Sequence, residues 1–213
     1  MPTIAIMGGT FDPVHTGHLV IAEEARARFG LDEVVFVPAA EPPHKPGADI
    51  SPAEDRYAMV LLATASNPFF SVSRVELDRP GPSYSIDTIR QFRSSYAGAS
   101  LYFLTGADAV LEILAWRDPE ALIRECRFIA AARPGYDLSQ LQRRLPEHFL
   151  AAIDTLVVPG VDISSSDICR RVREGASITY LIPEPVEDYI RKRRLYEGSP
   201  ALEKSGGPAA IRR

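Results

Sequence analysis

The 213-residue sequence predicts an α/β fold, with a doubly wound, mostly parallel sheet and helices on both faces. Two observations lead to this prediction. Short apolar runs alternate along the chain with longer amphipathic segments, which is the order of strand, helix and strand that builds such sheets. Several of the short runs are apolar throughout, as in parallel strands that are covered on both faces. The predicted strands are 4–7, 34–37, 70–75, 101–104, 127–131 and 155–158.

The longer segments between the predicted strands carry the signals of helices. Residues 19–29 repeat apolar side chains at helical spacing, and Gly30 follows as a helix C-cap. The tetrapeptide Ser-Pro-Ala-Glu at 51–54 has the pattern of a capping box with proline at the first helical position, so a second helix is predicted there. Further helices are predicted at 86–96, 119–125, 138–152, 166–174 and 185–194.

Composition and charge limit the classes of protein to consider. Hydrophobic residues make up 46% and charged residues 24% of the chain, as in ordinary folded proteins. The net charge of −4 argues against a general affinity for nucleic acid or for an anionic membrane. Two distant cysteines, no signal-peptide pattern and no run long enough to span a membrane favour a reduced, cytoplasmic chain. Residues 1–198 are expected to form one domain, and 199–213 a disordered tail.

The loop after the first predicted strand contains the strongest candidate residues. Ligands of doubly wound sheets bind beyond the carboxyl ends of the strands, and free N–H groups at a helix start attract anions. Neither Gly-x-x-x-x-Gly-Lys nor Gly-x-Gly-x-x-Gly is present here. His15 and His18 are three residues apart, which puts both imidazoles on one face of the helix. Gly17 between them leaves room for a phosphate to approach the backbone.

Two other interpretations of this loop are weaker. A plain turn with incidental histidines is disfavoured, because two of the four histidines stand beside a glycine-rich turn at the expected binding edge. A zinc site lacks ligands, because His-x-x-His supplies only two and no cysteine lies nearby. The helical glutamate of a metalloprotease pair is also absent. No metal ion is therefore assigned to protein side chains.

The same loop resembles the signature of the adenylyl- and cytidylyltransferase superfamily. The resemblance is carried by Gly-Thr-Phe-Asp-Pro at 9–13, followed by His-x-Gly-His at 15–18. The second hallmark of that superfamily is an Ile-Ser-Ser-Ser/Thr segment that opens a late helix, and it is matched at 163–166. Both segments follow predicted strands at the same edge of the sheet.

Four further segments resemble the bacterial nicotinate-nucleotide adenylyltransferases. These are Pro-Pro-His-Lys at 42–45, Pro-Ser-Tyr-Ser-Ile-Asp-Thr at 82–88, Gly-Ala-Asp at 106–108 with Trp116, and Ala-Arg-Pro-Gly at 132–135. The resemblance spans residues 4 to about 196. It implies transfer of the adenylyl group of ATP to nicotinate mononucleotide with release of pyrophosphate, a step of NAD synthesis. ATP and nicotinate mononucleotide are then the partners, and a homo-oligomer is left open.

The implied chemistry needs few catalytic groups. The attacking phosphate oxygen is already ionised at neutral pH, because its second pKa is near ~6, so no general base is required. No Ser–His–Asp arrangement or nucleophile elbow is found, which fits direct transfer. His15 and His18 are the predicted catalytic residues, donating hydrogen bonds to the ATP phosphates as charge moves towards pyrophosphate. Mg²⁺ is the expected cofactor, held mainly by phosphates and water.

The resemblance assigns further residues to each substrate. The implied ATP-binding residues are Gly8, Gly9, Thr10, Phe11, Gly17, Ile163, Ser164, Ser165, Ser166 and Arg170. The implied binding residues for the second substrate are Lys45, Arg56, Tyr84, Ser85, Thr88, Gly106, Asp108, Trp116 and Arg133.

Several of these residues have a second interpretation. Lys45 would meet the phosphate of the mononucleotide. Trp116 either stacks on the pyridine ring or packs in the core. Ser85 either donates to the nicotinate carboxylate or serves as a helix N-cap. Asp108 either contacts a ribose hydroxyl or caps the following helix, and Arg56 lies either near the acid substrate or at the surface.

The chain departs from the family at one position. After the Ile-Ser-Ser-Ser segment the family has an arginine that reaches the ATP phosphates, but this chain has Cys169. Arg170 or Arg171 could substitute, although a shift of one residue turns a helical side chain by roughly 100°. Cys169 itself is either a reactive thiol in an electropositive site or a buried inert one.

Two alternatives to the implied reaction remain. A sister enzyme such as a phosphopantetheine adenylyltransferase would use the same loop, but those chains look shorter and lack the segments at 42–45 and 84–88. A nucleotide-binding sensor without turnover is favoured only by Cys169. The intact pair His15 and His18 argues against a sensor, because a binder has no departing pyrophosphate to neutralise.

Overall fold

A computed structural model describes residues 1–43, 49–160 and 162–197, and it confirms the predicted fold class. All six predicted strands are present, and every pairing between them is parallel. Their bounds are Thr3–Gly9 (β1), Glu33–Pro38 (β2), Phe70–Val72 (β3), Ser100–Gly106 (β4), Arg127–Ala132 (β5) and Ile153–Val157 (β6). Their order in the sheet is β3-β2-β1-β4-β5-β6.

Helices fill the connections between the strands. They are Thr16–Phe29 (α1), Ala53–Thr64 (α2), Ser85–Ser95 (α3), Ala107–Leu111 (α4), Pro119–Glu125 (α5), Ser139–Arg144 (α6), Glu147–Leu150 (α7), Ser165–Arg173 (α8) and Glu184–Arg193 (α9). A 3-10 turn covers Ile113–Ala115. The predictions for α1, α3, α5, α8 and α9 agree within three residues at each end, whereas α4 was not predicted.

The order in which strands are added to the sheet changes direction at β1. The chain runs outward from β1 to β2 and β3, then returns so that β4 pairs with the other side of β1. In parallel sheets this switch point leaves a crevice between the carboxyl ends of the two central strands. The loops that follow β1 and β4 therefore border the expected ligand site.

Each face of the sheet has its own apolar core. Successive residues of β1 alternate between them, with Ala5 and Met7 in the first core and Ile4 and Ile6 in the second. Both faces of β1 are buried, which explains why it is apolar throughout. Helices α1, α2, α8 and α9 contribute buried side chains to the first core, and α3 to α7 contribute to the second.

The single helix predicted at 138–152 is wrong, because the segment is broken into α6 and α7. Pro146 has no N–H to donate and disfavours a helical conformation at the residue before it. Leu145 accordingly has φ −107° and ψ 141°, which is extended backbone. Leu141, Leu145 and Phe149 are still buried, so the apolar spacing indicated the buried face but not the break.

The capping box predicted at 51–54 is also wrong. Pro52, not Ser51, is the N-cap of α2, and no side chain caps this helix start. The carbonyl of Ser51 instead accepts a hydrogen bond from Nε of Arg56, at 2.9 Å. The third strand is shorter than predicted and ends at Val72.

Two predictions concern membrane-spanning segments and the C-terminal tail. None of the described helices is long and apolar enough to cross a membrane. The tail predicted at 199–213 lies outside the described residues.

The predicted C-cap of α1 is confirmed. Gly30 has φ 62° and ψ 41°, the left-handed conformation that ends many helices, and its N–H donates to the carbonyl of Arg26. A side chain at this position would meet no atom within 4 Å, so only backbone strain opposes it.

We predict that Gly30→Ala lowers the free energy of unfolding by about 1 kcal/mol, because alanine resists the left-handed conformation. Gly30→Asn should lose less, since asparagine tolerates that conformation. Urea denaturation of the three proteins measures both effects. A loss in Gly30→Asn as large as that in Gly30→Ala would contradict backbone strain as the cause.

Candidate functional site

The loop between β1 and α1 is held from outside by side chains of distant elements. Nη1 of Arg56 donates to the carbonyl of Thr10 at 2.8 Å, and Tyr196 donates to Oδ1 of Asp12 at 2.6 Å. Oγ of Ser165 donates to the carbonyl of Pro13 at 2.9 Å. These bonds come from α2, from the residues after α9 and from α8. The loop therefore has a defined shape before any ligand arrives.

His15 and His18 form a stacked pair at the start of α1. Their ring centroids lie 3.7 Å apart. The backbone N–H of His15 donates to Nδ1 of His18 at 3.1 Å, so neutral His18 carries its proton on Nε2. Nδ1 of His15 is buried without a hydrogen-bond partner among the described residues, and it would lie 3.0 Å from a Cβ at Gly17. The pair thus combines an oriented donor with unused hydrogen-bonding capacity.

Burial keeps both imidazoles neutral at physiological pH. Desolvation, and then the nearby Arg133 guanidinium, lower the pKa of His15 from 6.5 to about 4. Burial lowers the pKa of His18 well below its usual value, with smaller contributions from His15 and Arg133. Each ring can therefore donate a hydrogen bond without a full positive charge. The fixed cation at this point is Arg133.

Arg133 acts electrostatically on the histidine pair, and its contact with the second substrate stays a prediction. It follows the last residue of β5. Its guanidinium pairs with Asp162 and donates to the carbonyl of Ile163 at 3.4 Å. The side chain therefore joins the end of β5 to the segment before α8, where it acts electrostatically on both histidines.

The Ile-Ser-Ser-Ser segment packs against the same loop. Ile163 is buried in the first core, which fixes the start of α8. Ser164 is the N-cap of α8 and accepts from the backbone N–H of Asp167 at 3.2 Å. Ser165 is bound to the loop carbonyl described above, and Ser166 lines a cavity of about 590 Å³ together with Thr10. The N-terminus of α8 is thus beside the loop, with its N–H groups near the expected phosphates.

A cavity of about 270 Å³ lies at the switch point between β1 and β4. It unites five of the residues assigned by resemblance, which are Gly8, Gly9, Thr10, Ser85 and Trp116. Pro42, Pro43 and Ser83, from two segments that carry the resemblance, also line it. Residues that the sequence did not single out complete the wall: Ala39, Glu76, Phe103, Thr105 and Ala109. Phe103 and Thr105 share one face of β4, so strand alternation could have identified them.

Trp116 packs in the core and also lines the cavity, and its stacking on a pyridine ring stays a prediction. Its ring packs edge-on against Phe103 at 5.9 Å and against Phe128 at 6.3 Å between centroids. It also lines the 270 Å³ cavity. Core packing on one side thus holds an aromatic surface towards the cavity on the other.

The start of α3 borders the same cavity. Tyr84, not Ser85, is the N-cap residue, so the interpretation of Ser85 as an N-cap is wrong. Ser85 lines the cavity instead. The Tyr84 ring lies 4.6 Å below the Arg117 guanidinium, a cation–π contact that fixes the ring beside Trp116.

Two assigned residues support the site from behind instead of facing a ligand. Arg56 is only 1% exposed, and its guanidinium donates to three backbone carbonyls, those of Ser51, Thr10 and Ala40. Thr88 is fully buried and donates to Oε1 of Glu76 at 2.6 Å. Direct substrate contact, expected for both, does not fit this burial. The surface alternative for Arg56 is equally wrong.

Gly106 and Asp108 lie at the end of β4. Gly106 is the N-cap of α4, and no side chain caps this helix, so the capping interpretation of Asp108 is wrong. Asp108 is exposed, and its contact with a ribose hydroxyl stays a prediction. Lys45 lies outside the described residues.

Comparisons with known proteins agree with this arrangement. Residues 6–171 match the family model described as Cytidylyltransferase-like. A protein of Moorella thermoacetica named "Probable nicotinate-nucleotide adenylyltransferase" is 54% identical over 91% of this chain and 91% of its own. A relative of the same name from a Thermoanaerobacter species is 49% identical over 91% of this chain and 94% of its own. The chain belongs to the nicotinate-nucleotide adenylyltransferase family.

A solved structure has the same fold. Plasmodium falciparum nicotinic acid mononucleotide adenylyltransferase complexed with NaAD matches with a TM-score of 0.75 and 20% identity. The match covers 92% of this chain and 98% of that one.

Arg170 and Arg171, the two candidates for the family's phosphate arginine, form ion pairs along α8. Arg170 pairs with Asp167 and, at 2.6 Å, with Glu174, and Arg171 pairs with Asp167 at 2.7 Å. Both guanidiniums are thus paired along their own helix, and the ATP-binding role of Arg170 stays a prediction. Cys169 faces the loop, with Sγ 3.5 Å from the carbonyl of Asp12. Arg173, one turn further along α8, lines the 590 Å³ cavity together with Cys169, and Arg133 lies near both histidines.

We predict that His15 makes the fold sensitive to acid. Its pKa is lower in the folded state, so its stabilisation is complete above pH 6.5 and is lost as the pH falls towards about 4. Between pH 7 and pH 4.5, His15→Gln should lose about 2 kcal/mol less of its free energy of unfolding than the unmodified protein loses. Urea denaturation at both pH values measures the difference. Between pH 7.5 and 8.5 the two proteins should change in parallel, and equal acid sensitivity would contradict the prediction.

Proposed function

We propose that this chain transfers the adenylyl group of ATP to nicotinate mononucleotide, giving nicotinate adenine dinucleotide and pyrophosphate. The observation that carries the proposal is the stacked, neutral pair His15 and His18 beside a cavity lined by Trp116. The histidine pair suits a polyphosphate, and the cavity lined by Trp116 suits a flat ring. The names of the relatives at 54% and 49% identity agree with both.

The phosphates of ATP would lie between the starts of α1 and α8. There His18 offers Nε2–H, and backbone N–H groups at both helix starts favour negative charge. Arg133 supplies a fixed positive charge next to the histidines. As the bond between the α- and β-phosphates breaks, negative charge grows on the departing pyrophosphate. These groups would then stabilise the transition state more than they stabilise bound ATP. Catalysis then consists of positioning and charge stabilisation.

The acceptor would enter the cavity at the β1–β4 switch point. The pyridine ring would stack on Trp116, with Ser85 as a hydrogen-bond donor to the nicotinate carboxylate. The acceptor phosphate would point towards Gly9 and Thr10, which line the cavity and also begin the ATP loop. The attacking oxygen needs no base because it is already ionised.

Mg²⁺ would come as part of the ATP substrate. Among residues 1–43, 49–160 and 162–197, no group of three or more His, Cys, Asp or Glu side chains is placed to hold a metal ion. A magnesium ion held chiefly by phosphate oxygens and water needs no such group. Location in the cytoplasm and assembly into a homo-oligomer stay predictions.

The sister-enzyme alternative differs only in the acceptor. We predict pyrophosphate release with ATP and nicotinate mononucleotide, and much slower release with nicotinamide mononucleotide. The amide lacks the negative charge of the carboxylate that would accept a hydrogen bond from Ser85. Phosphopantetheine should give none. Rates with the three acceptors at equal concentration make the test. Reaction with phosphopantetheine alone would overturn the proposal, and ATP binding without any product would support the sensor.

We predict that His18→Asn lowers kcat by about 100- to 1000-fold, the usual loss on removing one donor from such a site (~2.7–4 kcal/mol). Asparagine can still accept from the N–H of His15, so the loop should keep its shape. His18→Gln should retain more activity, since its amide nitrogen can reach the position of Nε2. Steady-state kinetics of both variants measure the effect. Equal losses, or no loss, would remove the donor role from His18.

A further inference from the structure

The residues after α9 return to the loop that carries the histidines. Leu195 N–H donates to the carbonyl of Ile190 at 3.1 Å, which closes the helix end. Arg194 has φ 54° and Tyr196 has φ 65°, both in the left-handed region that non-glycine residues seldom adopt. Such conformations persist only where surrounding contacts determine them. Here they turn the chain so that the Tyr196 ring enters the protein beside Met59.

The Tyr196 hydroxyl lies beside Met59 and the Ser51 side chain, and its shortest hydrogen bond is made to Asp12. It donates to Oδ1 of Asp12 at 2.6 Å, while Oδ2 of Asp12 accepts from the backbone N–H of Ser51 at 3.0 Å. Burial, and then this bond to Asp12, raise the pKa of Tyr196 above its usual value, so the hydroxyl keeps its proton. Both oxygens of the Asp12 carboxylate are therefore directed by groups outside the loop.

Asp12 is three residues before His15, within the loop itself. Its backbone carbonyl contacts Sγ of Cys169, and the next carbonyl, that of Pro13, accepts from Ser165. The backbone on the N-terminal side of His15 is thus fixed by Asp12 and Pro13. Because Asp12 and His15 lie on one short segment, we expect a displacement of Asp12 to move His15.

We propose that Tyr196 is a positioning residue of the transfer site, which orients Asp12 and through it places the stacked histidines. This inference rests on the proposed function. The phenol touches no reacting atom, so its effect is on geometry. A loop that is displaced slightly should weaken hydrogen bonds made as pyrophosphate departs more than it weakens the binding of the acceptor.

Tyr189 offers a matched control on α9, the helix that precedes Tyr196. Its hydroxyl donates to Oδ1 of the buried carboxylate Asp55 at 2.8 Å, so it also makes a phenol–carboxylate bond between α9 and another element. Asp55 is on α2 and does not belong to the loop. Tyr189→Phe and Tyr196→Phe each remove one hydroxyl and leave the ring in place.

The test compares the two variants by kinetics and by thermal unfolding. We expect Tyr196→Phe to lower kcat about 10-fold with little change in the KM of nicotinate mononucleotide, while Tyr189→Phe keeps kcat and has a similar fall in Tm. The double variant with Asp12→Asn should lose less than the product of the two single losses, because both remove one interaction. Equal kcat for the two phenylalanine variants would overturn the proposal, as would strict multiplication of the single losses.

A second measurement does not depend on turnover. The chain has four histidines, so ¹⁵N-labelled imidazole spectra can resolve His15 and His18. Their resonances should move in Tyr196→Phe and stay in place in Tyr189→Phe. If the unmodified protein gives no dinucleotide but these shifts occur, the proposed function fails and the positioning role stands. Unmoved resonances in Tyr196→Phe would overturn the positioning role whatever the enzyme activity.

Discussion

The hydrogen bond from the backbone of His15 to Nδ1 of His18 determines what the loop after β1 can do. It assigns the proton of a neutral His18 to Nε2, and it holds that ring against its neighbour. The burial that lowers both pKa values follows from the same packing. Under the proposed function, phosphate would meet a donor of fixed direction, with positive charge supplied by Arg133 and by the helix starts. A pair of solvated, charged imidazoles would also interact with water, which would weaken its interaction with phosphate.

The loop keeps this geometry because other elements hold its backbone. Arg56 holds Thr10 from α2, Ser165 holds Pro13 from α8, and Tyr196 holds Asp12. A loop of this length has many conformations when free, and ordering each residue costs roughly 1–2 kcal/mol. Here that cost is met during folding, not at the binding of ATP. Preorganisation of this kind favours the transition state over the ground state.

The sequence was sufficient to predict the strands, most helices and the parts of the site that depend on local pattern. Gly30 and the His15–His18 spacing are examples, since the role of each can be inferred from a few adjacent residues. Contacts between distant segments were not predictable in this way. Arg56 and Thr88 were expected to face a substrate, but their partners are carbonyls and a carboxylate that only the tertiary fold brings close. Arg133 was assigned to the second substrate because nothing local relates the end of β5 to the start of α1.

The two halves of the proposed site pack on opposite faces of the sheet. Helices α1 and α8, with the histidines and the Ile-Ser-Ser-Ser segment, pack on one core, whereas α3 and the turn that leads to Trp116 pack on the other. Thr10, which follows β1, lines both cavities. Substitutions behind the acceptor cavity can therefore accumulate without disturbing the packing that supports the phosphates. In evolutionary terms the fold is modular, and a lineage can acquire a new acceptor while its nucleotide half is inherited unchanged.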